Sequence, residues 1–284
     1  MIRACIFDLG GTIVDRYSLT PLIAFRKAFK NYGIDLCPSL IRRDMGLNKM
    51  DHIDKIFEDS DIQKQWLGRN LERIDDRMKK ELFKNFSNIQ KIETIERMKI
   101  IPQTKKCIQY LQDNDILTGV TTGFDYEQTM RVKSLLEVYN IHLDSYVSST
   151  CLDLPSRPQP YMIHKNMDNL KLDDPKRIIK LDDTVSGIQE GLNAGCLTVG
   201  VARWSINMGI NNYEDMMRLD NVIMDGSNNY SLNYHDQKEK LKKSREILEK
   251  SGAHYVIDTL EELPGIIEHI NRMGNPTPYK LLKT

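Results

Sequence analysis

Short apolar runs alternate with amphipathic stretches along most of the chain, and this alternation predicts an α/β fold. Runs of strand length lie at 4–7, 116–122, 145–150, 178–182, 197–201 and 253–257. Helical periodicity predicts helices between or after them at 126–137, 159–169, 185–193 and 260–272. Strands that alternate with helices form a parallel, doubly wound (Rossmann-like) sheet with helices on both faces. We therefore expect such a core.

The stretch after the first strand has a different pattern, because it is helical and contains no convincing strand up to about residue 98. Its first helix is expected to be capped by Thr20, to start with Pro21 and to stop at Gly33. We expect a helical cap domain of residues 18–97, inserted into an α/β core domain of residues 1–17 and 98–284. Farther along, the polar stretch 224–230 predicts a loop, and 236–250 predicts a charged surface helix.

Composition narrows the kind of partner that this protein can have. Lys plus Arg and Asp plus Glu both total 40, so the formal net charge is zero at pH 7. The protein therefore has no overall positive electrostatic field that would attract nucleic acid or an acidic membrane surface. No stretch approaches the roughly 18 apolar residues of a membrane span, and no apolar leader precedes the first strand. Scattered cysteines without a C-x-x-C pair are typical of reduced thiols. We expect a cytoplasmic protein that binds a small molecule.

Candidate chemistry begins where the first strand ends, because Asp8 runs into a turn that contains Gly10 and Gly11. Ligands of open α/β sheets bind at the carboxyl ends of the strands, and glycines let the backbone of Gly11 and Thr12 approach an anion. Asp8 is therefore a candidate nucleophile, with an ordinary turn and a solvated aspartate as the alternative. Gly10 cannot donate a proton, which is a disadvantage for a phosphatase that expels an alkoxide.

Two further segments are candidates for holding a phosphoryl group. The strand 116–122 ends in Thr121, Thr122 and Gly123, whose hydroxyl and N–H groups can form a small anion nest. Arg157 lies in a proline-rich loop, and its guanidinium can bind phosphate and offset the repulsion between a carboxylate and a phosphonate. Strand propensity followed by a turn, and a solvated surface arginine, are the alternatives.

Adjacent carboxylates at another strand end predict a metal site. Asp182 and Asp183 follow an apolar run, and such a pair is costly unless a hard cation neutralises it. We assign Mg²⁺ to Asp8, Asp183 and the Gly10 carbonyl, with Asp182 acting through water or from behind the ligands. An Asp pair that caps the next helix is the alternative.

One segment of the helical insert also carries candidate chemistry. Asn48 can cap a helix that presents Lys49 in its first turn, with His52 on the same face. The helix dipole disfavours a cation there and would lower the pKa of the lysine, as an amine nucleophile requires. A solvated surface lysine is the alternative.

These segments together resemble a known family. Asp8 and its turn resemble the first motif of the haloacid dehalogenase-like superfamily, in which an inserted helical cap is also found. The resemblance is closer to the phosphonoacetaldehyde hydrolase (phosphonatase) family, and it runs in order through Asp8 to Asp15, Met45-Gly46-Leu47 with Lys49 and His52, Thr121-Thr122-Gly123, Arg157-Pro158, Asp183-Thr184-Val185-Ser186, Asn193-Ala194-Gly195 and Ser251-Gly252-Ala253-His254.

The resemblance implies Mg²⁺-dependent hydrolysis of the P–C bond of phosphonoacetaldehyde to acetaldehyde and phosphate. It implies that Lys49 forms a Schiff base with the aldehyde and that Asp8 becomes an aspartyl phosphate. The protonated imine accepts the electrons of the broken bond, so no acid is needed at residue 10. His52 would assist proton transfers, Met45 would line the pocket or shield the amine, and the caps would join two subunits in a homodimer.

The chain also departs from the family pattern. Ser18 stands where the family commonly has Cys, Gly187 stands where it has Asp, and the loop before Arg157 is one residue shorter. We expect Asp182 to offset the second departure. Two alternatives stay open: a capped phosphatase or phosphotransferase that acts on another small phosphorylated substrate, and a non-catalytic interaction protein on the same scaffold.

Overall fold

The core of the molecule is a six-stranded parallel sheet, here described from a computed structural model over residues 1–70, 73–224 and 232–273. The order of the strands is β3-β2-β1-β4-β5-β6. The strands are β1 (Ala4–Phe7), β2 (Leu117–Thr122), β3 (Ser145–Ser148), β4 (Ile178–Asp182), β5 (Leu197–Val201) and β6 (Tyr255–Ile257). Phe7 of β1 pairs with Val120 on one side and with Leu181 on the other.

Helices follow or connect all of these strands. In the described part of the chain they are α1 (Leu19–Lys30), α2 (Pro38–Arg43), α3 (Lys49–Phe57), α4 (Ser60–Asn70), α5 (Asp76–Arg97), α6 (Thr104–Asp113), α7 (Tyr126–Val138), α8 (Tyr161–Leu170), α9 (Val185–Asn193), α10 (Tyr213–Met224), α11 (Leu232–Lys250) and α12 (Leu263–Met273). A search of the described helices finds none with the length and apolarity that crossing a bilayer requires.

Apolar side chains cover both faces of the sheet, as expected for parallel strands that are buried on both sides. One face packs against α6, α7 and α12, through residues such as Ile108 and Val132. The opposite face packs against α8, α9 and α11, through Ile163, Ile188 and Leu248. The predicted doubly wound sheet is therefore confirmed.

Helices α1 to α5 all lie between β1 and β2 in the chain and form a second apolar core of their own. Phe25 of α1 and Phe86 of α5 pack against each other within it, with 4.3 Å between their ring centroids. The two chain segments that lead into and out of these helices run side by side, because Val14 and Ile100 form an antiparallel bridge. A helical cap on a Rossmann-like core is thus confirmed, while the exact domain limits stay a prediction.

Most predicted elements agree with the structure to within two residues, but α11 begins four residues earlier than predicted, α12 begins three residues later, and the predicted cap of α1 was wrong. Helix α1 begins at Leu19, because the Thr20 hydroxyl donates to Asp15 Oδ2 at 2.6 Å and does not cap the helix. The stop at Gly33 is confirmed, since its φ of +76° lies in the left-handed region that favours glycine. In the predicted loop 224–230, residues 225–230 lie outside the described residues.

Candidate active site

Three carboxylates meet where the strand order reverses, between β1 and β4. Asp8 follows β1, Asp182 ends β4, and Asp183 comes next, so that one oxygen of each lies within 4.8 Å of the others. All three are buried. Burial and the charge of Asp182 raise the pKa of Asp8 to about 6. Burial and the charges of Asp8 and Asp182 also raise the pKa of Asp183 well above its usual range.

The oxygens of these carboxylates are not equally free. Asp182 Oδ1 accepts from the Thr184 N–H and hydroxyl at 2.9 and 2.7 Å, and Oδ2 forms an ion pair with Lys180 Nζ at 3.0 Å but no hydrogen bond with any described residue. Asp183 Oδ2 accepts from the Ile206 N–H at 3.0 Å, whereas its buried Oδ1 makes no hydrogen bond with any described residue.

This donor set fits Mg²⁺, which prefers hard oxygen ligands. Asp183 Oδ1 has no hydrogen-bond partner among the described residues and lies beside the Asp8 carboxylate, which pairs with Arg157 through Oδ1, whereas Asp182 pairs with Lys180 through Oδ2. Buried, mutually repelling carboxylates of this kind are stabilised when a divalent cation binds. The Gly10 carbonyl belongs to the same turn as Asp8 and is the third predicted ligand.

The turn after Asp8 presses against this carboxylate cluster. Gly11 has a φ of +77°, and a Cβ there would lie only 2.3 Å from Asp183 Oδ2, so the position requires glycine. The Thr12 side chain is fully buried, and its hydroxyl has no hydrogen-bond partner among the described residues. Gly11 therefore adjoins the carboxylate cluster, neither Gly11 nor Thr12 lines the cavity described below, and their role in phosphate binding stays a prediction.

Arg157 reaches the carboxylates from its loop, as predicted. Its Nη1 lies 2.9 Å from Asp8 Oδ1, its Nε donates to Glu190 Oε2 at 2.9 Å, and its Nη2 donates to the Thr121 carbonyl at 2.6 Å. Burial alone would lower the pKa of this guanidinium, but the charges of Glu190, Asp182 and Asp8 outweigh it and raise the pKa. Arg157 is therefore a fixed cation beside the carboxylate cluster.

The predicted nest after β2 is only partly available to a ligand. The Thr121 hydroxyl donates to Glu190 Oε2 at 2.8 Å and accepts from Lys180 Nζ at 2.7 Å, so it is turned into the core. Thr122 and Gly123, by contrast, line the cavity above Asp8. The prediction that the Thr121 hydroxyl binds phosphate thus does not agree with the structure, because buried charged groups already use it.

Lys49 is brought to the same cavity by the first turn of α3. The predicted cap is confirmed, because Asn48 Oδ1 accepts from the Met50 N–H at 2.8 Å. The Lys49 side chain is not solvated as a surface lysine would be, since only 4% of the residue is exposed. Burial, with a smaller contribution from the Arg157 charge, lowers the pKa of Lys49 to about 8, although the Asp8 charge opposes this. The amine is thereby made more nucleophilic.

Few polar groups contact the Lys49 amine. Nζ lies 3.4 Å from the Leu47 carbonyl and 4.0 Å from Met45 Sδ, and it stands 5.8 Å from the centroid of the Phe124 ring. Met45 thus shields the amine, as one of the two predicted roles requires. Phe124, which the sequence analysis did not single out, forms the wall on the core side.

His52 occupies a different position from the one expected. Its ring packs against Phe25 with 4.3 Å between centroids, and neither ring nitrogen has a hydrogen-bond partner among the described residues. Burial, and then the charge of Lys49, lower its pKa well below 6.5. The ring is therefore neutral, and His52 is not among the residues that line the cavity.

Cap and core close tightly over the site. The cavity between them has a volume of about 20 Å³, room for about one water molecule. It is lined by Asp8, Gly10, Ser18, Pro21, Met45, Gly46, Lys49, Thr122, Gly123, Phe124 and Thr184. A Cβ on Gly46 would lie 2.4 Å from Ser186 Oγ, and one on Gly123 would lie 2.5 Å from the Leu47 carbonyl. The cavity in this arrangement is therefore too small for an organic substrate.

Two charged residues beside the site, Lys180 and Glu190, were not predicted from the sequence. Both side chains are fully buried, and both contact the Thr121 hydroxyl. Lys180 could have been found, because a single lysine interrupts the apolar run of a strand predicted to be buried on both faces. Glu190 carries no comparable signal, since a glutamate in a helix is ordinarily solvated.

Comparisons with known proteins agree with this geometry. The family model described as haloacid dehalogenase-like hydrolase matches residues 5–201. The chain is 30% identical to the phosphonoacetaldehyde hydrolase of Lactiplantibacillus plantarum, over 95% of this chain and 97% of that one. It is 32% identical to that of Bacillus cytotoxicus, over the same shares.

Solved structures give the same result. A phosphonoacetaldehyde hydrolase-like protein from Oleispira antarctica superposes with a TM-score of 0.85 at 29% identity, covering 95% of this chain and 93% of that chain. A β-phosphoglucomutase from Clostridium difficile has a TM-score of 0.64 at 20% identity, over 96% and 99%, and indicates the fold alone.

Proposed function

Because this chain belongs to the haloacid dehalogenase-like hydrolase family, and within it to the phosphonoacetaldehyde hydrolases, we propose that it hydrolyses the P–C bond of phosphonoacetaldehyde to acetaldehyde and phosphate. One observation carries the proposal: a buried lysine amine and a strand-end carboxylate line the same closed cavity. Lys49 and Asp8 are those residues, and Gly10 beside them has no proton to donate.

The reaction begins at Lys49. Its neutral amine adds to the aldehyde carbon, and loss of water leaves a protonated imine. The lowered pKa of Lys49 favours this step because it increases the neutral fraction of the amine near neutral pH. Met45 and Phe124 exclude bulk water from the amine.

Asp8 then attacks phosphorus. As the P–C bond breaks, its electron pair moves into the protonated imine, which becomes an enamine, while Asp8 becomes an aspartyl phosphate. Arg157 Nη1, 2.9 Å from Asp8 Oδ1, is placed to hold a phosphoryl oxygen beside the nucleophile. Asp8, Asp183 and the Gly10 carbonyl would hold Mg²⁺, whose charge would let an anionic nucleophile approach an anionic substrate.

Two hydrolyses complete the cycle. The enamine takes up a proton at carbon, and water then hydrolyses the imine, which releases acetaldehyde and restores the Lys49 amine. A second water hydrolyses the aspartyl phosphate and restores Asp8. His52 packs against Phe25 and does not line the cavity, so any part that it takes in proton transfer is indirect.

The test is a Mg²⁺-dependent acetaldehyde-release assay on the wild type, Lys49→Arg and Lys55→Arg. Lys49→Arg keeps the charge but cannot form an imine, so we expect no product and no borohydride-trapped adduct on the peptide that contains residue 49. Lys55→Arg, an exposed site on the same helix, should behave as the wild type. Full activity of Lys49→Arg would contradict the proposal. Turnover of phosphate monoesters without any turnover of the phosphonate would favour the capped phosphatase instead.

We also propose that two subunits associate through their caps. Support comes from α5, where the outward-facing Ile92 and Ile95 are 53% and 67% exposed. We expect a dimer mass in light scattering and a monomer mass for Ile95→Asp. A wild-type monomer would contradict this part of the proposal.

A further inference from the structure

A cluster of charged side chains lies beneath the phosphoryl site, between β4, β2 and α9. Lys180 is its centre: Nζ lies 3.0 Å from Asp182 Oδ2, 3.5 Å from Glu190 Oε2 and 2.7 Å from the Thr121 hydroxyl. The side chains of Lys180, Asp182 and Glu190 have no exposed surface. Neither Lys180 nor Glu190 lines the cavity, and the reaction proposed above uses neither of them.

Two glycines of α9 make room for this cluster. Lys180 and Asp182 project from the same face of β4, because side chains two apart share a face. A Cβ on Gly187 would lie 1.8 Å from Asp182 Oδ2, and one on Gly191 would lie 2.9 Å from Lys180 Cβ. Any side chain at either glycine would displace a charged group, so the helix is shaped around the cluster.

The cluster fixes the orientation of the Arg157 guanidinium. Glu190 accepts from Nε at 2.9 Å, and the carbonyl and hydroxyl oxygens of Thr121 accept from Nη2 at 2.6 and 2.9 Å. The guanidinium is planar and rigid, so two fixed nitrogens determine where the third one points. That third nitrogen, Nη1, lies 2.9 Å from Asp8 Oδ1, on the side of the phosphoryl site.

Lys180 makes this arrangement electrically possible. Glu190 and Asp182 are both buried near Arg157, and one guanidinium cannot neutralise two carboxylates in addition to Asp8. A buried charge without a partner is strongly destabilising, and the ammonium between the two carboxylates removes that cost. Lys180 Nζ and Arg157 Nε both contact Glu190 Oε2, at 3.5 and 2.9 Å.

We propose that Glu190 and Lys180 are positioning residues of this enzyme: they touch no substrate and hold Arg157 with Nη1 alone turned to the transferring phosphoryl group. This inference rests on the proposed function. Because charge-assisted hydrogen bonds are about twice as strong as neutral ones, Glu190→Gln, which keeps the shape but not the charge, should loosen Arg157. We expect weaker binding of the phosphoryl group and no effect on chemistry at Lys49.

The primary measurement is calorimetric binding of inorganic phosphate in the presence of Mg²⁺. We expect Glu190→Gln and Lys180→Met to weaken phosphate binding roughly 10-fold or more, and to raise the KM for phosphonate more than they lower kcat. Cyanoborohydride trapping of acetaldehyde at Lys49 needs no phosphoryl contact and should keep its wild-type rate. Glu93→Gln is the matched control, since Glu93 is a buried glutamate paired with a lysine away from the site.

A double-mutant cycle separates positioning from general loss of stability. In an Arg157→Met background, Glu190→Gln should change phosphate affinity no further, because its effect passes through the arginine. Additive effects, or wild-type phosphate affinity in Glu190→Gln, would overturn the inference. A wild type that binds phosphate but never releases acetaldehyde from phosphonate would instead overturn the proposed function.

Discussion

Removal of the Met45 side chain should return water to the Lys49 amine. Met45 is 4% exposed and its sulfur lies 4.0 Å from Nζ, while the adjoining cavity has room for about one water. Met45→Ala enlarges that space enough for about two more waters. Because burial is the main reason that the pKa of Lys49 is low, this substitution should raise the pKa towards its ordinary value.

The size of the effect follows from the protonation equilibrium. At pH 7.5 an amine with a pKa of about 8 is ~25% neutral, whereas one with the ordinary lysine value of 10.5 is ~0.1% neutral. Complete solvation would therefore slow imine formation by up to ~250-fold at this pH, and partial solvation by a smaller factor. Only the neutral amine reacts, so the rate rises with pH through the pKa of Lys49 and is constant above it.

The assay is the rate of cyanoborohydride trapping of acetaldehyde at residue 49, followed by peptide mass spectrometry between pH 6 and pH 11. We expect the wild-type rate to reach half its maximum near pH 8, the Met45→Ala profile to move to higher pH, and the two rates to converge at the alkaline end. Met162→Ala, at a buried methionine in α8, is the control for lost packing. A wild-type midpoint near 10.5, or an unshifted Met45→Ala profile with a uniformly lower rate, would refute the reasoning.

Three other substitutions test the cap–core contact, the carboxylate cluster and the segment between β1 and α1. Gly46→Ala puts a Cβ 2.4 Å from Ser186 Oγ, so it should hold the cap open and lower kcat/KM at least 10-fold. The control Gly209→Ala, also at positive φ but with no atom within 4 Å of its Cβ, should leave kcat/KM unchanged. Asp183→Asn should abolish the rise in Tm that Mg²⁺ gives the wild type. Burial raises the pKa of Asp15 to about 7, so the free energy of unfolding falls as pH rises from about 4 through 7. Asp15→Asn has no titrating group there, so the fall in the free energy of unfolding over this range, measured by urea titration, should be smaller by up to ~4 kcal/mol.

The elements that carry the site could be predicted because their signals are local. Asp8, Asp182 and Asp183 each stand at the carboxyl end of an apolar run, and parallel strands bring such ends to one edge of a sheet. Likewise, the start of α3 depends on Asn48 alone, which fixes where Lys49 lies along the helix. A short-range cause sufficed in each of these cases.

The partners of these residues could not be predicted, because they depend on packing between distant segments. Thr121 looked like a phosphate ligand, but Glu190, 69 residues farther along, uses its hydroxyl. His52 does share the helix of Lys49, yet the position of Phe25 in α1 decides that its ring is buried away from the cavity. Periodicity places a residue on a helix, but it does not say which neighbour the side chain will contact.

Residues 182 and 187 show how packing explains a departure from a family motif. By its resemblance to the family, the chain lacks a carboxylate at Gly187 and has an additional one at Asp182. The Cβ position of residue 187 lies 1.8 Å from Asp182 Oδ2, so a side chain at residue 187 would require the Asp182 carboxylate to move. Asp182 therefore accounts for the glycine, and Lys180, 3.0 Å from the same oxygen, supplies the counter-charge that a carboxylate entering from the strand requires. Whether the loss of a motif residue removes a function therefore depends on which side chain occupies its space in the structure, and the sequence alignment of that one position does not show this.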